Sequence, residues 1–202
     1  MAIRWLKQTD DGWIVTLDAA GLRRSLPSHM RLDWVGMAAG RDRFQVLEGI
    51  HLGTAGSLVS NSGLFSSNDP QLSAATVRFR DRVGGPATID GVTYQKEILI
   101  EYASSAGTQS EGPFNAVGDQ NNPIPIGTHV LQIPDFPHEL GAPYSPFGTV
   151  WFRIGNTGDR YLHPGRISLG CATAQGSAWT RIYNAIIKRR GTSGNIGTLV
   201  AT

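Results

Sequence analysis

The single cysteine among the 202 residues, Cys171, ends the run Tyr-Leu-His-Pro-Gly-Arg-Ile-Ser-Leu-Gly-Cys at positions 161–171. A thiol becomes a strong nucleophile when a nearby base draws off its proton, because the thiolate is the reactive form. His163, eight positions upstream, is the candidate base. Gly170 lets the chain turn tightly beside the thiol with no Cβ in the way. The backbone N–H groups of Gly170 and Cys171 are then candidates for holding the oxyanion that forms when a carbonyl is attacked. Ser168 either orients the imidazole through its hydroxyl or stabilises the turn. The chemistry of such a set is acyl transfer through a thioester. The competing reading is an inert thiol packed as a small hydrophobe. The Ser-Leu-Gly-Cys context with a histidine upstream favours catalysis.

One cysteine excludes an internal disulfide framework and a multi-thiolate zinc site, so no metal is expected. An apolar content of 40% with 17% charge marks a folded chain, long enough for one well-buried domain. Twenty-five glycines and eleven prolines among short β-branched runs favour a turn-rich, mainly β architecture. The net charge of +2 is too small to argue for nucleic acid. The basic cluster Lys188-Arg189-Arg190 sits at an expected helix end, where cations suit the helix dipole. The first eleven residues lack a long apolar run and a following small-residue cleavage site, so no secretory signal is expected. No apolar run is long enough to span a bilayer.

The elements that must position Cys171 and His163 are strands for the most part. Residues 3–6 and 13–17 read as a hairpin about Asp10-Asp11-Gly12, with Trp5 and Trp13 paired across it. Residues 18–43 lack a clean period and read as irregular, with His29 at the surface. Residues 53–73 are rich in Gly, Ser and Asn and read as a long loop. Residues 75–80 and 96–102 read as strands joined through turns at 83–86 and Asp90-Gly91. Glu97, Leu99 and Glu101 share one face of the second strand, and a solvated face explains the glutamates better than a catalytic acid pair. Residues 104–118 read as a polar loop. Pro123 and Pro125 set an extended start to a strand at 128–133, and 134–146 is irregular. Residues 149–154 read as the next strand, followed by a turn at 156–159. Beyond Cys171 the period changes: Trp179, Ile182, Tyr183, Ile186 and Ile187 form one helical stripe. A helix over 178–190 follows, with Ser177 as N-cap and Gly191 as C′ residue, then a closing strand at 195–201.

With His163, Ser168, Gly170 and Cys171 in this order, the chain resembles the L,D-transpeptidase (YkuD-like) catalytic domain. That family's signature is an upstream histidine followed by Ser/Thr-His-Gly-Cys. The segment Asn-Pro-Ile-Pro-Ile-Gly-Thr-His-Val-Leu at 122–131 is similar to the family's Thr-Pro-x-Gly-x-Tyr strand start. The resemblance covers residues 95–202 as a catalytic region, with 1–94 as an N-terminal β-rich part of the same domain. It implies a β-sandwich with a helix after the catalytic cysteine. Leu169 stands where the family has histidine, Thr173 where arginine or asparagine is common, and the His163–Cys171 gap is short. This compressed form resembles the branch that includes peptidoglycan-targeting type VI secretion effectors.

The resemblance implies attack by Cys171 on a meso-diaminopimelate carbonyl in a tetrapeptide stem of peptidoglycan. D-alanine leaves, and the thioester passes to a peptide, a D-amino acid or water. The substrate ends in a carboxylate, which makes Arg166 the first candidate for bidentate capture. His138 and Tyr144 are candidate cleft residues, with His138 equally readable as a structural histidine. No cofactor is implied. The implied place of action is the periplasm or cell wall, reached by a specialised secretion route, with an immunity protein as partner if the protein is an effector. The alternative is a non-catalytic cell-wall-binding module that retains the fold.

Overall fold

Short β-branched and aromatic runs broken by glycine turns fold as strands along nearly the whole chain, as their propensities favour. The computed structural model describes residues 2–191 and 193–202. The first sheet holds β1 (Ala2–Leu6), β2 (Trp13–Asp18), β3 (Arg23–Pro27), β4 (Arg31–Ala38), β5 (Arg41–Val46), β6 (Ala55–Val59) and β7 (Phe65–Ser66). Their spatial order is β3-β2-β6-β5-β4-β1-β7. β8 (Leu72–Ser73), β9 (Ala75–Asp81), the hairpin β10 (Ala87–Ile89) and β11 (Val92–Tyr94), β12 (Lys96–Ser104) and β13 (Gly107–Val117) follow. The last strands are β14 (Gly127–Leu131), β15 (Phe152–Arg153), β16 (Tyr161–Gly165), β17 (Ala172–Gln175), β18 (Arg189–Arg190) and β19 (Gly197–Ala201). Between β17 and β18 lies one α-helix, α1 (Trp179–Ile186). The second large sheet runs β14-β19-β9-β12-β13-β17-β16-β15.

The fold is therefore mainly β, with a helix after Cys171. Both large sheets feed one buried apolar cluster, from Leu6, Ile14, Leu32 and Phe44 in the first to Val77, Ile98, Ile100 and Leu199 in the second. The first sheet ends at Ser66 and the second begins at Ala75, with β9 paired to β12 along its whole length.

Several expectations need correction. Residues 3–6 and 13–17 are strands but do not form a hairpin. β1 pairs with β4 and β7, and β2 with β3 and β6. Asp11 Oδ1 accepts the Trp13 N–H, and Gly12 takes φ +84, packed so closely that a Cβ would lie 2.8 Å from Val150 Cγ2. The turn therefore carries the chain across the sheet instead of reversing it onto its neighbour. Trp13 Nε1 donates to Thr149 Oγ1 on the other side of the core, not toward Trp5. Residues 18–43 are not irregular: β3, β4 and the first half of β5 lie there, with a register shift between Trp34 and Gly36 breaking the period. Residues 53–73 contain β6. The polar stretch 104–118 is the eleven-residue β13, paired with β12. Its first half is exposed on both faces, so ladder hydrogen bonds hold it and side-chain polarity carries no strand signal. Only Phe152–Arg153 of the expected 149–154 strand is paired as one.

His29 is buried, not a surface residue, and its Nε2 meets Gln8 Oε1 at 2.8 Å. The two glutamates of β12 face β9, where Glu97 pairs with Arg80 and Glu101 with Arg78. They do not converge as an acid pair. α1 ends at Ile186, well before residue 190, and neither Ser177 nor Gly191 caps it. The reason lies in the two arginines that follow. Arg189 Nε donates to Ala185 O, and its guanidinium lies 3.4 Å from the Tyr102 ring centroid. Arg190 donates to Glu48 Oε1, and the two residues pair in parallel with β8. The two arginines are thus drawn inward, while Lys188 stays exposed, and the helix ends before them.

The Glu48–Arg190 pair ties the first sheet to the C-terminal part, with the side chains 1% and 6% exposed. Glu48 also accepts from the Arg31 N–H and Gln71 Nε2. Breaking such a pair strands the other charge in the core. Glu48→Ala is expected to cost about 3–5 kcal/mol in urea unfolding; a loss below about 1 kcal/mol, the scale of a surface pair, would contradict this placement.

Candidate active site

Parallel neighbours in a sheet are ordinarily joined by a crossover of about a dozen residues or more. β16 and β17 are parallel and adjacent, with Leu162 opposite Ala172, His163 opposite Thr173 and Gly165 opposite Gln175. Yet only residues 166–171 connect them. The chain must fold back beside the strand it has just left, and a compact set of hydrogen bonds holds it there. Ser168 Oγ accepts the Cys171 N–H at 3.0 Å and donates to Cys171 O at 2.7 Å. Thr173 Oγ1 donates to Ile167 O at 3.2 Å. Arg160 Nη1 donates to Gly170 O at 2.7 Å and to the carbonyls of Asn122 and Pro123. Gly170 sits at φ +94, where a Cβ would come within 2.7 Å of Asn122 Nδ2. Glycine is needed there both for its backbone and for the approach of this clamp.

Cys171 emerges at the start of β17, 8% exposed. Its Sγ accepts the Tyr161 N–H at 3.3 Å and lies 3.9 Å from Asp159 O. Burial is the main influence on the thiol and pushes its pKa up. Cys171 and Thr173 alternate onto the same face of the sheet as Tyr161 and His163. His163 is equally buried and places Nδ1 2.9 Å from Pro164 O. A carbonyl only accepts, so Nδ1 carries the proton and Nε2 is the bare acceptor. Nε2 lies 3.2 Å from Thr173 Oγ1, whose single hydrogen serves either the imidazole or Ile167 O. Burial, with a smaller contribution from His138, pushes His163 down to about 4. At rest the site therefore holds a neutral thiol beside a neutral imidazole, with neither ring nitrogen bonded to Sγ.

Of the two roles open to Ser168, the structure shows the turn: its hydroxyl bonds Cys171 and not His163, whose Nδ1 meets Pro164 O. The Cys171 N–H is already given to Ser168, which leaves the Gly170 N–H as the remaining candidate oxyanion donor of the two.

His138 belongs to a stack that also reaches the base. Phe136, His138, Trp151 and His163 follow one another with ring centroids 4.5, 4.3 and 4.3 Å apart. His138 Nε2 is 3.0 Å from Asp135 Oδ1, and Tyr161 OH donates to Asp135 Oδ2 at 3.0 Å. Burial alone would raise the Asp135 carboxyl, but donors from His138, the Phe136 N–H and Tyr161 together hold it below the ordinary value. His138 is thus a packed, hydrogen-bonded member of the wall behind His163. Arg166 and Tyr144 come together elsewhere, in a hollow at the far ends of β16 and β17 that Cys171 and His163 do not line.

Sequence reasoning missed Asp135, Trp151, Tyr161 and the Arg160–Asn122 clamp. The Asp-x-x-His spacing of 135–138 was the available signal for the first; nothing local marks the rest. Among the described residues no group of three His, Cys, Asp or Glu side chains is placed to hold a metal ion, and no helix is long and apolar enough to cross a membrane. No family model, curated protein or solved structure matches the chain.

Two buried neutral histidines, His29 and His163, each sit near pKa 4 against about 6.5 when unfolded. As the pH falls through 6.5 the unfolded chain binds more protons than the folded one, so stability falls with acidification and is flat only above about pH 7.5. Between pH 7.5 and 5 the expected loss is about 2 kcal/mol per histidine. His29→Asn, which tolerates the left-handed backbone at φ 65, is expected to remove about half of the loss in urea titrations. An unchanged pH slope in this variant would contradict the assignment.

Proposed function

We propose that this chain is a cysteine acyl-transfer enzyme acting on peptidoglycan stem peptides, as an L,D-transpeptidase, L,D-carboxypeptidase or D-amino-acid exchanger. The observation that supports it is the β16–β17 register, which brings His163 and Cys171 onto one face of adjoining strands around Thr173. In this reading Cys171 Sγ attacks the diaminopimelate carbonyl while its proton passes to His163 Nε2, freed when the Thr173 hydroxyl turns to Ile167 O. Nδ1 stays on Pro164 O throughout and keeps the ring aligned. The imidazolium then protonates the amine of the departing D-alanine, and the thioester is resolved by an incoming amine or water. Burial disfavours both thiolate and imidazolium, so proton transfer accompanies attack and does not precede it.

The same pKa directions favour a second reading, a cell-wall-binding module with an inert thiol. The two separate on a purified tetrapeptide muropeptide, with products followed by mass analysis. The enzyme releases D-alanine, Cys171→Ala abolishes release, and His163→Ala lowers kcat about 10²–10⁴-fold. Unchanged products in Cys171→Ala would remove the enzyme, and retained sacculus binding without turnover in the parent protein would establish the module.

As an extension of the enzymatic reading, the protein acts as an antibacterial effector in a target periplasm, with an immunity protein as its natural partner. Expression directed to the periplasm is then toxic, and cytoplasmic expression is tolerated. Equal tolerance of both would sink the toxin role.

A further inference from the structure

The hairpin β10–β11 turns at Asp90-Gly91, both with positive φ (48 and 75), the conformation of a tight two-residue turn. It stands as a separate two-stranded ribbon inside the connection from β9 to β12. One side of it closes an open hollow of about 640 Å³ whose other walls come from the ends of β16 and β17 and the 3-10 turn Glu139–Tyr144. The polar groups around this hollow are Asp90, Tyr94, Tyr144, Arg166, Gln175 and Ser177.

A guanidinium and a carboxylate face this hollow without meeting. Neither Arg166 nor Asp90 takes part in any ion pair among the described residues, with each other or with a third group. Nor does the Asp90 carboxylate bond back to its own turn, the usual employment of an aspartate at that position. Tyr94, a buried member of the same lining, registers both charges. Burial pushes its hydroxyl above the ordinary phenol value, Arg166 pulls it down and Asp90 pushes it up. Opposite charges held apart across a hollow with aromatic walls match a ligand that carries both charges a short distance apart.

We propose that this hollow binds an amino-acid zwitterion, with its carboxylate on Arg166, its ammonium on Asp90 and its carbon body against Tyr94 and Tyr144. Two sources share that chemistry, a free amino acid and the free amino-acid end of a diamino-acid residue in a stem peptide. The peptide source rests on the peptidoglycan reading above; the free amino acid does not.

The test uses the full chain carrying Cys171→Ala, so that no covalent chemistry contributes and binding is judged apart from turnover. Backbone amide resonances are followed by NMR during titration with D-alanine, N-acetyl-D-alanine and D-alanine amide. D-alanine is expected to bind about tenfold more tightly than either single-charge analogue, with shifts centred on residues 90–94 and 165–166. Arg166→Gln and Asp90→Asn should each remove that advantage, since both lie at the surface and leave the core untouched. A muropeptide whose diaminopimelate presents a free amino-acid end serves as the second arm. Tighter binding of this muropeptide than of D-alanine assigns the peptide source, and the reverse assigns the free amino acid. Equal binding of N-acetyl-D-alanine or the amide, an unchanged affinity in Asp90→Asn, or no shifts with any of the four ligands would overturn the proposal.

Discussion

The six-residue return from β16 to β17 is the constraint on which the rest of the site depends. A chain that must come back alongside itself in so short a distance has few conformations, and each polar group it turns inward needs a partner. Ser168, Thr173 and Arg160 supply those partners from the loop, the next strand and the preceding turn. The thiol and the imidazole are therefore set by backbone geometry rather than by attraction to each other. Each is held by a main-chain group, Sγ by the Tyr161 N–H and Nδ1 by Pro164 O.

Charge is distributed around this site with some economy. Burial disfavours charge on both Cys171 and His163, while the buried carboxylate of Asp135 is surrounded by three donors. The rings of His138 and Trp151 separate it from His163 and continue the stack onto that imidazole. Such a wall lowers the local dielectric, which raises the energy of any charge formed at Sγ and equally strengthens a backbone donor aimed at one.

How much of this was legible depended on whether a feature is written in neighbouring residues. The β-rich class, the Asp90-Gly91 turn and the apolar stripe from Trp179 to Ile187 were, because turn chemistry and periodicity are local. β13 was not, since its first half, exposed on both faces, carries no alternation and its ladder there is made by backbone alone. The Asp11-Gly12 turn was read correctly as a turn and wrongly as a hairpin, because pairing partners are chosen by the sheet and not by the turn. Arg189 and Arg190 looked like a solvated helix end; the buried Glu48, more than a hundred residues away, decides otherwise. At Cys171 the Ser-Leu-Gly-Cys pattern pointed to the right bend, but which atoms Ser168 would satisfy could be learned only in three dimensions.

The position of β19 has a consequence for how the chain reaches this state. It lies between β14 and β9, antiparallel to one and parallel to the other, so the second sheet is closed from within by residues 197–201. On a ribosome, β9 and β14 emerge long before their common partner and present bare edges until it arrives. Completion of that sheet must then wait until synthesis has passed residue 201, and in the interval both edges stay open to wrong pairing.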